Sequence, residues 1–154
     1  MGIDPSIVIH EIKKYLDAKP VNQKLRPIHP RKTTTIKTKV EKLLKVGFIY
    51  LVPLTEWVSN FIPVTKKQGT IRVCVNYRDL NVACPKDNYP TPFIDQIIDN
   101  CAESVIFSFM DGFSGYNHIE ILPSDQYKTT FICLWGIFAY QKLPFGLKKS
   151  GATF

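Results

Sequence analysis

An aspartate, Asp111, stands directly after an apolar run in the stretch "VIFSFMDGFSGYNHI". Carboxylates are among the ligands that Mg²⁺ takes in phosphoryl-transfer sites, where two such ions lie about 3.5–4 Å apart. An aspartate that opens a turn after a strand is also a common turn former, because its side chain bonds its own backbone. The residues around Asp111 therefore leave a metal ligand and a turn residue both open.

Three cations, Lys66, Lys67 and Arg72, lie at the tip of a predicted β-hairpin in "WVSNFIPVTKKQGTIRVCVNYRDLN". Apolar and β-branched residues flank the short turn "KKQG", which is the pattern of two strands joined by a tight turn containing Gly69. Arginine offers a planar fork to phosphate oxygens, whereas lysine contributes a point charge. The hairpin tip therefore fits either a phosphate-binding element or an ordinary solvated turn.

The net charge of +7 is concentrated in the first third of the chain. Residues 1–50 hold eleven Lys/Arg against four Asp/Glu, whereas residues 51–154 hold nine of each. A basic segment of this kind is the expected footprint of a surface that faces phosphates. A solvated helix face that keeps the protein soluble is the alternative.

Composition predicts one globular domain that is neither secreted nor membrane-spanning. The 154 residues, 45% of them hydrophobic, are enough for a single core. No apolar run approaches the ~20 residues of a membrane span, and the N-terminal residues do not form a secretory signal. We therefore expect an intracellular protein, cytoplasmic or nuclear. The four cysteines stand ten or more residues apart without zinc-site spacing, which favours free thiols.

The elements that must position these residues begin with an extended arm and a helix. Prolines in "KPVNQKLRPIHP" prevent a continuous helix and favour an extended chain up to Pro30. In "TTTIKTKVEKLLKVGFI", apolar residues recur at helical spacing, threonines can cap the start, and Gly47 can end the helix. This segment predicts a basic amphipathic helix.

The second half mixes strands and helices. The stretch "TPFIDQIIDNCAES" predicts a short helix whose acids, Asp95 and Asp99, face water rather than form a metal pair. The run "VIFSFMD" predicts a strand buried on both faces. A second hairpin pivots at Trp135 and Gly136, and "FGLKKSGATF" predicts the first turn of a helix. Without strict βαβ alternation, the fold class is α+β.

Five segments resemble, in order and at matching spacing, the reverse transcriptase of gypsy-type long-terminal-repeat retrotransposons. They are "IPVTKKQGTIRVCVNYRDLN", "YPTPFIDQII", "FSFMDGFSGYNHI", "YKTTFI" and "GIFAYQKLPFGLKKSGATF". Two more, "GIDPSIVIHEI" and "RPIHPRK", resemble the lead-in to that domain within the Pol polyprotein. The resemblance implies the fingers and partial palm of a right-hand polymerase fold.

The resemblance implies roles for particular residues. Asp111 matches the first metal-binding aspartate of the palm, the catalytic residue that holds Mg²⁺, and Gly112 opens the adjacent backbone for a triphosphate. Tyr116 matches the aromatic residue that packs under the deoxyribose and excludes a 2′-hydroxyl, with core packing as the alternative.

The resemblance also implies a set of nucleotide contacts. Lys66 or Lys67, together with Arg72, matches the fingers hairpin that closes on the triphosphate, and a choice between the two lysines stays open. Phe145 and Gly146 in "LPFGL" match the turn beside the nucleotide and the template base. The basic helix around residues 31–45 is placed in the fingers, near the template backbone.

The sequence departs from the family pattern in several places. Family members supply further carboxylates from a Tyr-x-Asp-Asp hairpin, and that motif does not occur in these 154 residues. Asn76 stands where the family has an aspartate in "CVDYRDLN", and His118 stands where a glutamine is common. After "PFGL" the family usually continues with Asn-Ala and then Pro or Gly, whereas here Lys149 and Ser150 precede Gly151.

The resulting expectation is an N-terminal lead-in at residues 1–30 and a partial reverse transcriptase domain at residues 31–154. Within that domain, residues 31–103 are expected to form fingers and residues 104–154 palm. The function expected is that of an RNA-directed DNA polymerase segment, which adds dNTPs to a primer 3′-OH on an RNA or DNA template-primer. As an isolated chain it is expected to be inactive, so whether it is an enzyme stays open. The alternative is a degenerate, non-enzymatic remnant that binds nucleic acid or nucleotide weakly.

Overall fold

The computed structural model describes residues 2–53, 55–65, 67, 69–88, 90, 92–108 and 115–153. In chain order the elements are β1 (Ile9–His10), α1 (Pro30–Lys45), β2 (Ile49–Leu51), β3 (Ser59–Thr65), β4 (Ile71–Val75), α2 (Arg78–Ala83), α3 (Ile94–Cys101), β5 (Glu120–Ile121), β6 (Phe131–Cys133), β7 (Gly136–Tyr140) and α4 (Ser150–Thr153), with 3₁₀ segments at Gly115–His118 and Pro123–Thr129. The mixture of helices and a mixed sheet confirms the predicted α+β class.

The main sheet has five strands in the order β2-β7-β6-β3-β4. The two predicted hairpins supply four of them, since β3 pairs antiparallel with β4 and β6 pairs antiparallel with β7. A parallel contact between β3 and β6 joins the hairpins. In the second hairpin Cys133 pairs with Gly136, so the turn consists of residues 134 and 135 and Gly136 already belongs to the strand.

Helix α1 confirms the predicted basic amphipathic helix but begins earlier than the threonines suggested. His29 is the N-cap and accepts a hydrogen bond from the backbone N–H of Arg31 at 3.3 Å, and Pro30 occupies the first turn. Proline is favoured there because its missing N–H would have no intrahelical partner. Ile36 and Val40 bury the apolar side of the helix in the core.

The core is centred on Phe131, which is fully buried. Its ring contacts those of Phe61, Phe138 and Tyr140 at centroid distances of 6.3, 5.8 and 5.5 Å. These rings come from strands β3, β6 and β7. The aromatic cluster therefore fixes the two hairpins to each other.

The N-terminal lead-in is tied to this body through the buried Asn60 of β3. The Asn60 side chain donates to the carbonyl of Lys24 at 2.6 Å and accepts from the N–H of Arg26 at 3.2 Å. The backbone N–H of Asn60 donates to the side chain of Gln23 at 2.8 Å. Closer to the N-terminus, β1 pairs in parallel with β5. The lead-in is thus part of the folded unit.

The strand predicted for "VIFSFMD" is wrong over its described residues. Val105, Ile106 and Phe107 are exposed, at 95%, 86% and 51%, and they are not in a strand. A strand needs a hydrogen-bonding neighbour, and residues 105–108 belong to none of the paired strands. Apolar composition alone cannot supply that pairing partner. Residues 109–111 of the run lie outside the described residues.

Helix α3 confirms the helix predicted after "DNYP". None of its residues is buried, and the apolar side chains of Ile94, Ile97 and Ile98 are all exposed. The predicted division between fingers and palm after residue 103 stays a prediction. Strands on both sides of that division belong to one sheet, because β6 lies between β3 and β7.

Candidate functional site

A cleft of about 810 Å³ opens between helix α1, strand β4 and the turn at residues 144–146. Strand β4 is an edge strand, so one side of it has no sheet neighbour within the described part of the chain. Helix α1 contacts β4 and therefore forms a second wall. The residues that bring chemistry to this cleft are Lys39, Lys42, Arg72, Asn117, Phe145 and Gly146.

The cleft is cationic. Lys39 and Lys42 reach it from α1, where positions i and i+3 share one face of the helix, and Arg72 reaches it from β4. Among the residues that the structure describes, the lining contains no Asp or Glu. Three cations along one cleft form a surface of positive potential, which attracts anions such as phosphate groups.

Arg72 is placed by the pairing of the first hairpin. It lies opposite Val64 in the β3–β4 register and is exposed. Gly69 at the turn has a φ of +79°, a conformation that glycine adopts without strain. Lys67 is exposed in the same turn, whereas Lys66 lies outside the described residues. The structure thus brings Arg72 to the cleft and leaves the choice between the two lysines open.

Tyr116 and Phe145 form an aromatic pair beside the cleft. Their ring centroids are 5.6 Å apart and the ring planes meet at 73°, an edge-to-face arrangement. Tyr116 is half-buried and packs against the core, whereas Phe145 is 76% exposed. The predicted aromatic residue and the predicted turn are therefore in direct contact, and Phe145 shares the cleft with Arg72.

Gly146 forms the boundary between this cleft and a second groove of about 570 Å³. The second groove is lined by Arg78, Asn81 and Lys148, among others. The φ of Gly146 is +105°, a conformation that a side chain would strain. Glycine is therefore required at this position by its backbone conformation.

Tyr140, from strand β7, also lines the cleft. Burial raises the pKa of Tyr140 well above its ordinary value, and the nearby Cys74 contributes further. The phenol therefore stays protonated at neutral pH. Tyr140 also holds the cleft to the core through its contact with Phe131.

Asp111 and Gly112, the predicted metal ligand and its neighbour, lie outside the described residues. Within the described ranges no group of three or more His, Cys, Asp or Glu side chains could hold a metal ion. Asp95 and Asp99 are on the exposed helix α3. The described residues therefore do not fit a Mg²⁺ ion by themselves.

Sequence reasoning did not single out Lys39, Lys42 or Asn117 as cleft residues. The sequence predicts the two lysines only as part of a basic helix, because it does not show which face of α1 meets β4. Asn117 follows Tyr116 in a 3₁₀ segment, and no motif distinguished it. The i, i+3 spacing of the two lysines with Val46 beyond them is the signal that marks one helix face.

The arrangement of strands and helices is that of a reverse transcriptase. The chain aligns with the protease-reverse transcriptase of prototype foamy virus with a TM-score of 0.75 and 24% identity, over 90% of this chain and 18% of that one. It also aligns with the foamy viral protease-reverse transcriptase solved in complex with an RNA/DNA hybrid, with a TM-score of 0.68 and 18% identity, over 88% of this chain and 19% of that one. At these levels of sequence identity, the structural similarity establishes the fold alone.

The sequence profile of the family described as reverse transcriptase (RNA-dependent DNA polymerase) matches residues 64–154. The chain belongs to this family. It is also 32% identical over 129 residues to the Transposon Tf2-3 polyprotein of Schizosaccharomyces pombe, an alignment that covers 83% of this chain and 10% of that protein. The predicted segment of a long-terminal-repeat retrotransposon reverse transcriptase is confirmed.

The chain spans about a tenth of the length of the curated relatives it matches. In the part of the chain that the structure describes, no helix combines the length and apolar character that crossing a membrane requires.

Proposed function

We propose that the cleft between α1, β4 and the turn at residues 144–146 binds the incoming dNTP of an RNA-directed DNA polymerase. The observation that carries this proposal is that Arg72, two lysines of α1 and the Phe145–Gly146 turn line one cleft, with Tyr116 against Phe145. Membership of the reverse transcriptase family supplies the reaction class, which is addition of dNTPs to a primer 3′-OH.

The cations in this proposal bind the triphosphate. Arg72 provides two parallel N–H donors to phosphate oxygens, and Lys39 and Lys42 provide point charges from the opposite wall. Lys67, in the exposed turn, approaches from the hairpin tip, and Lys66 is proposed for the same role from outside the described residues. Lys66 or Lys67 and Arg72 then act as the fingers that close over the phosphates.

The aromatic pair in this proposal holds the sugar and base. Tyr116 packs under the deoxyribose, where its ring leaves no room for a 2′-hydroxyl. Phe145 keeps Tyr116 in place through the edge-to-face contact, and the Gly146 backbone lies beside the nucleotide. The cleft of about 810 Å³ is within the usual size of a small-molecule site.

Mg²⁺ is proposed on the grounds of family and of Asp111 alone. The described residues contain no set of ligands that fits the ion, and one carboxylate cannot balance two dications. Binding of the nucleotide is therefore assigned to the cationic side chains, and chemistry by this chain alone is not expected.

A binding experiment tests the cleft. Titration of the purified chain with a fluorescent dATP analogue, followed by anisotropy, should show binding that weakens as salt is raised. Arg72→Ala should weaken it about tenfold or more, because charge-assisted hydrogen bonds are the strong ones. Lys37→Ala is the matched control, since Lys37 is on α1 but pairs at the surface with Glu41. If both substitutions weaken binding equally, the nucleotide is attracted by the basic surface in general and the cleft is not a specific dNTP site.

A primer-extension experiment tests turnover. With Mg²⁺, dNTPs and a primer-template, the purified chain should incorporate no nucleotide. A product that disappears in Asp111→Asn would overturn the expected inactivity and show that the chemistry requires Asp111. Nucleotide binding without primer extension would fit both a polymerase segment and the non-enzymatic remnant.

A second proposal concerns the template-primer. The groove of about 570 Å³ beyond Gly146 presents Arg78 and Lys148, and the solved foamy viral relative is in complex with an RNA/DNA hybrid. We infer that the nucleic-acid backbone runs along this groove, with the basic helix α1 near the template. Such contacts are independent of sequence and depend on salt. Arg78→Ala should reduce the salt slope for primer-template binding and leave dATP affinity within twofold.

A further inference from the structure

The side chain of Asn81, the last residue of the "YRDLN" motif, holds the turn that carries Phe145 and Gly146. Its amide nitrogen donates to the carbonyl of Gly146 at 2.8 Å, and its amide oxygen accepts from the backbone N–H of Lys148 at 2.9 Å. One side chain thus satisfies two backbone groups of the same turn. No other type of side chain of this length offers a donor and an acceptor side by side.

Lys148, in the turn, also forms hydrogen bonds with helix α2. Its ammonium donates to the carbonyl of Asn81 at 3.1 Å and to that of Cys84 at 2.9 Å. These carbonyls lie at the C-terminal end of α2, where a cation is favourable and the last carbonyls lack helical partners. The Asn81–Lys148 clip, meaning these four hydrogen bonds, joins the turn to the helix from both sides.

The turn needs such support. Phe145 is 76% exposed, and Gly146 has a φ of +105° in a stretch outside the named helices and strands. Leu147, in contrast, is buried and anchors one end. Between Leu147 and the aromatic contact of Phe145, the Asn81 bond to the Gly146 carbonyl fixes the backbone at the boundary of the two cavities.

We propose that Asn81 is a positioning residue for nucleotide binding. It sets the position of the Phe145–Gly146 turn and thereby the position of the Phe145 ring against Tyr116. Asn81 acts through the turn, because it lines the second groove and is absent from the lining of the cleft. The inference rests on the proposed function of the cleft where affinity is concerned, whereas the clip itself is independent of it.

Two variants separate the two bonds. Asn81→Ala removes both, whereas Asn81→Asp keeps an acceptor for the Lys148 N–H and loses the donor to Gly146. Asn100→Ala, an exposed change on α3, is the matched control. Circular dichroism and thermal melting establish that each variant is folded, and Asn81→Asp decides the question should Asn81→Ala fail to fold.

Two nuclear magnetic resonance readouts test the clip without any ligand. Amide hydrogen exchange at Lys148 should be at least tenfold faster in Asn81→Ala and close to wild type in Asn81→Asp. Nuclear Overhauser contacts between the Tyr116 and Phe145 rings should weaken in both variants and stay intact in Asn100→Ala. A loss of global stability alone would change exchange throughout the core and leave the ring contact unchanged in the folded population.

A third readout tests the consequence for binding. The affinity for the fluorescent dATP analogue should fall about fivefold in Asn81→Ala and stay within twofold in Asn100→Ala. Ring contacts that persist in both Asn81 variants would overturn the proposal, as would unchanged affinity despite a displaced turn. If the wild-type chain binds no dATP, the proposed function of the cleft fails, and the ring contacts still decide whether Asn81 positions the turn.

Discussion

The ring of Tyr116 meets the ring of Phe145 edge to face, with 5.6 Å between centroids. The two residues are 29 positions apart, one in a 3₁₀ segment and the other in a turn after β7. Because Phe145 also lines the cleft with Arg72, this contact connects three segments that the motifs indicated separately.

Tyr116→Ala should weaken the preference of the cleft for dATP over ATP. Removing the ring opens the space that a 2′-hydroxyl would occupy, so affinity for ATP should rise relative to dATP by about fivefold or more. Competition of each nucleotide against the fluorescent dATP analogue measures the ratio. Tyr116→Phe retains the ring and is the control. A ratio that stays the same in Tyr116→Ala would assign Tyr116 to core packing alone.

Gly146→Ala should destabilise the chain by roughly 1–2 kcal/mol, the usual cost of a left-handed conformation in a residue with a side chain. An added Cβ would lie 3.8 Å from Tyr77, an ordinary contact, so the cost comes from the φ of +105°. The midpoint of urea denaturation measures it. Gly151→Ala is the matched control, because Gly151 is in helix α4 with nothing within 4 Å of a Cβ. Gly151→Ala should be neutral or slightly stabilising.

Asp125→Ala should destabilise the chain by about 3–5 kcal/mol, because it leaves a buried charge without its partner. Asp125 accepts from Lys128 at 2.6 Å and from the backbone N–H of Ile12 at 2.7 Å, and Lys128 donates to the carbonyl of Ile12 at 2.9 Å. Urea denaturation followed by tryptophan fluorescence measures the loss.

The exposed ion pair between Glu11 and Lys13 supplies the control for that change. Glu11→Ala removes a carboxylate at nearly the same place in the chain and should cost under about 1 kcal/mol. Losses of equal size in Asp125→Ala and Glu11→Ala would mean that the lead-in is not held by the buried pair.

Stability should fall as the pH is lowered below about 6.5, and His10 should account for part of that fall. Burial lowers the pKa of His10, the Lys149 charge lowers it further, and Asp125 opposes the shift. At a pH between the ordinary pKa of histidine and the lower pKa of His10 in the folded chain, His10 is protonated when unfolded and neutral when folded. Proton binding therefore favours the unfolded state as the pH falls through this range. His10 is buried and its Nδ1 is 2.8 Å from the hydroxyl of Thr153, which connects β1 to α4.

Urea midpoints at pH 7.5 and pH 5.5 for the wild type and His10→Gln test this dependence. The variant should lose less stability between the two pH values than the wild type does. The other two histidines are present in both proteins, so their contributions cancel in the comparison. An identical pH dependence in the two proteins would remove His10 as the cause.

The local sequence pattern was sufficient to predict those elements that depend on a few adjacent residues. Helix α1 follows from apolar spacing, and both hairpins follow from β-rich halves flanking a short turn. The strand predicted over residues 105–107 is wrong because its signal is not local. A strand depends on a neighbour from elsewhere in the chain, and composition carries no information about which neighbour is available.

By itself the sequence determined the family, the α+β class and the cationic character of the first hairpin and of helix α1. Only the tertiary structure decided which face of α1 meets β4, so that Lys39 and Lys42 share a cleft with Arg72, and that Asn81 braces the turn of Phe145. The physical reason is that residue type and local spacing set charge and helical or extended conformation. The meeting of segments 30 to 70 residues apart depends instead on how the core around Phe131 packs.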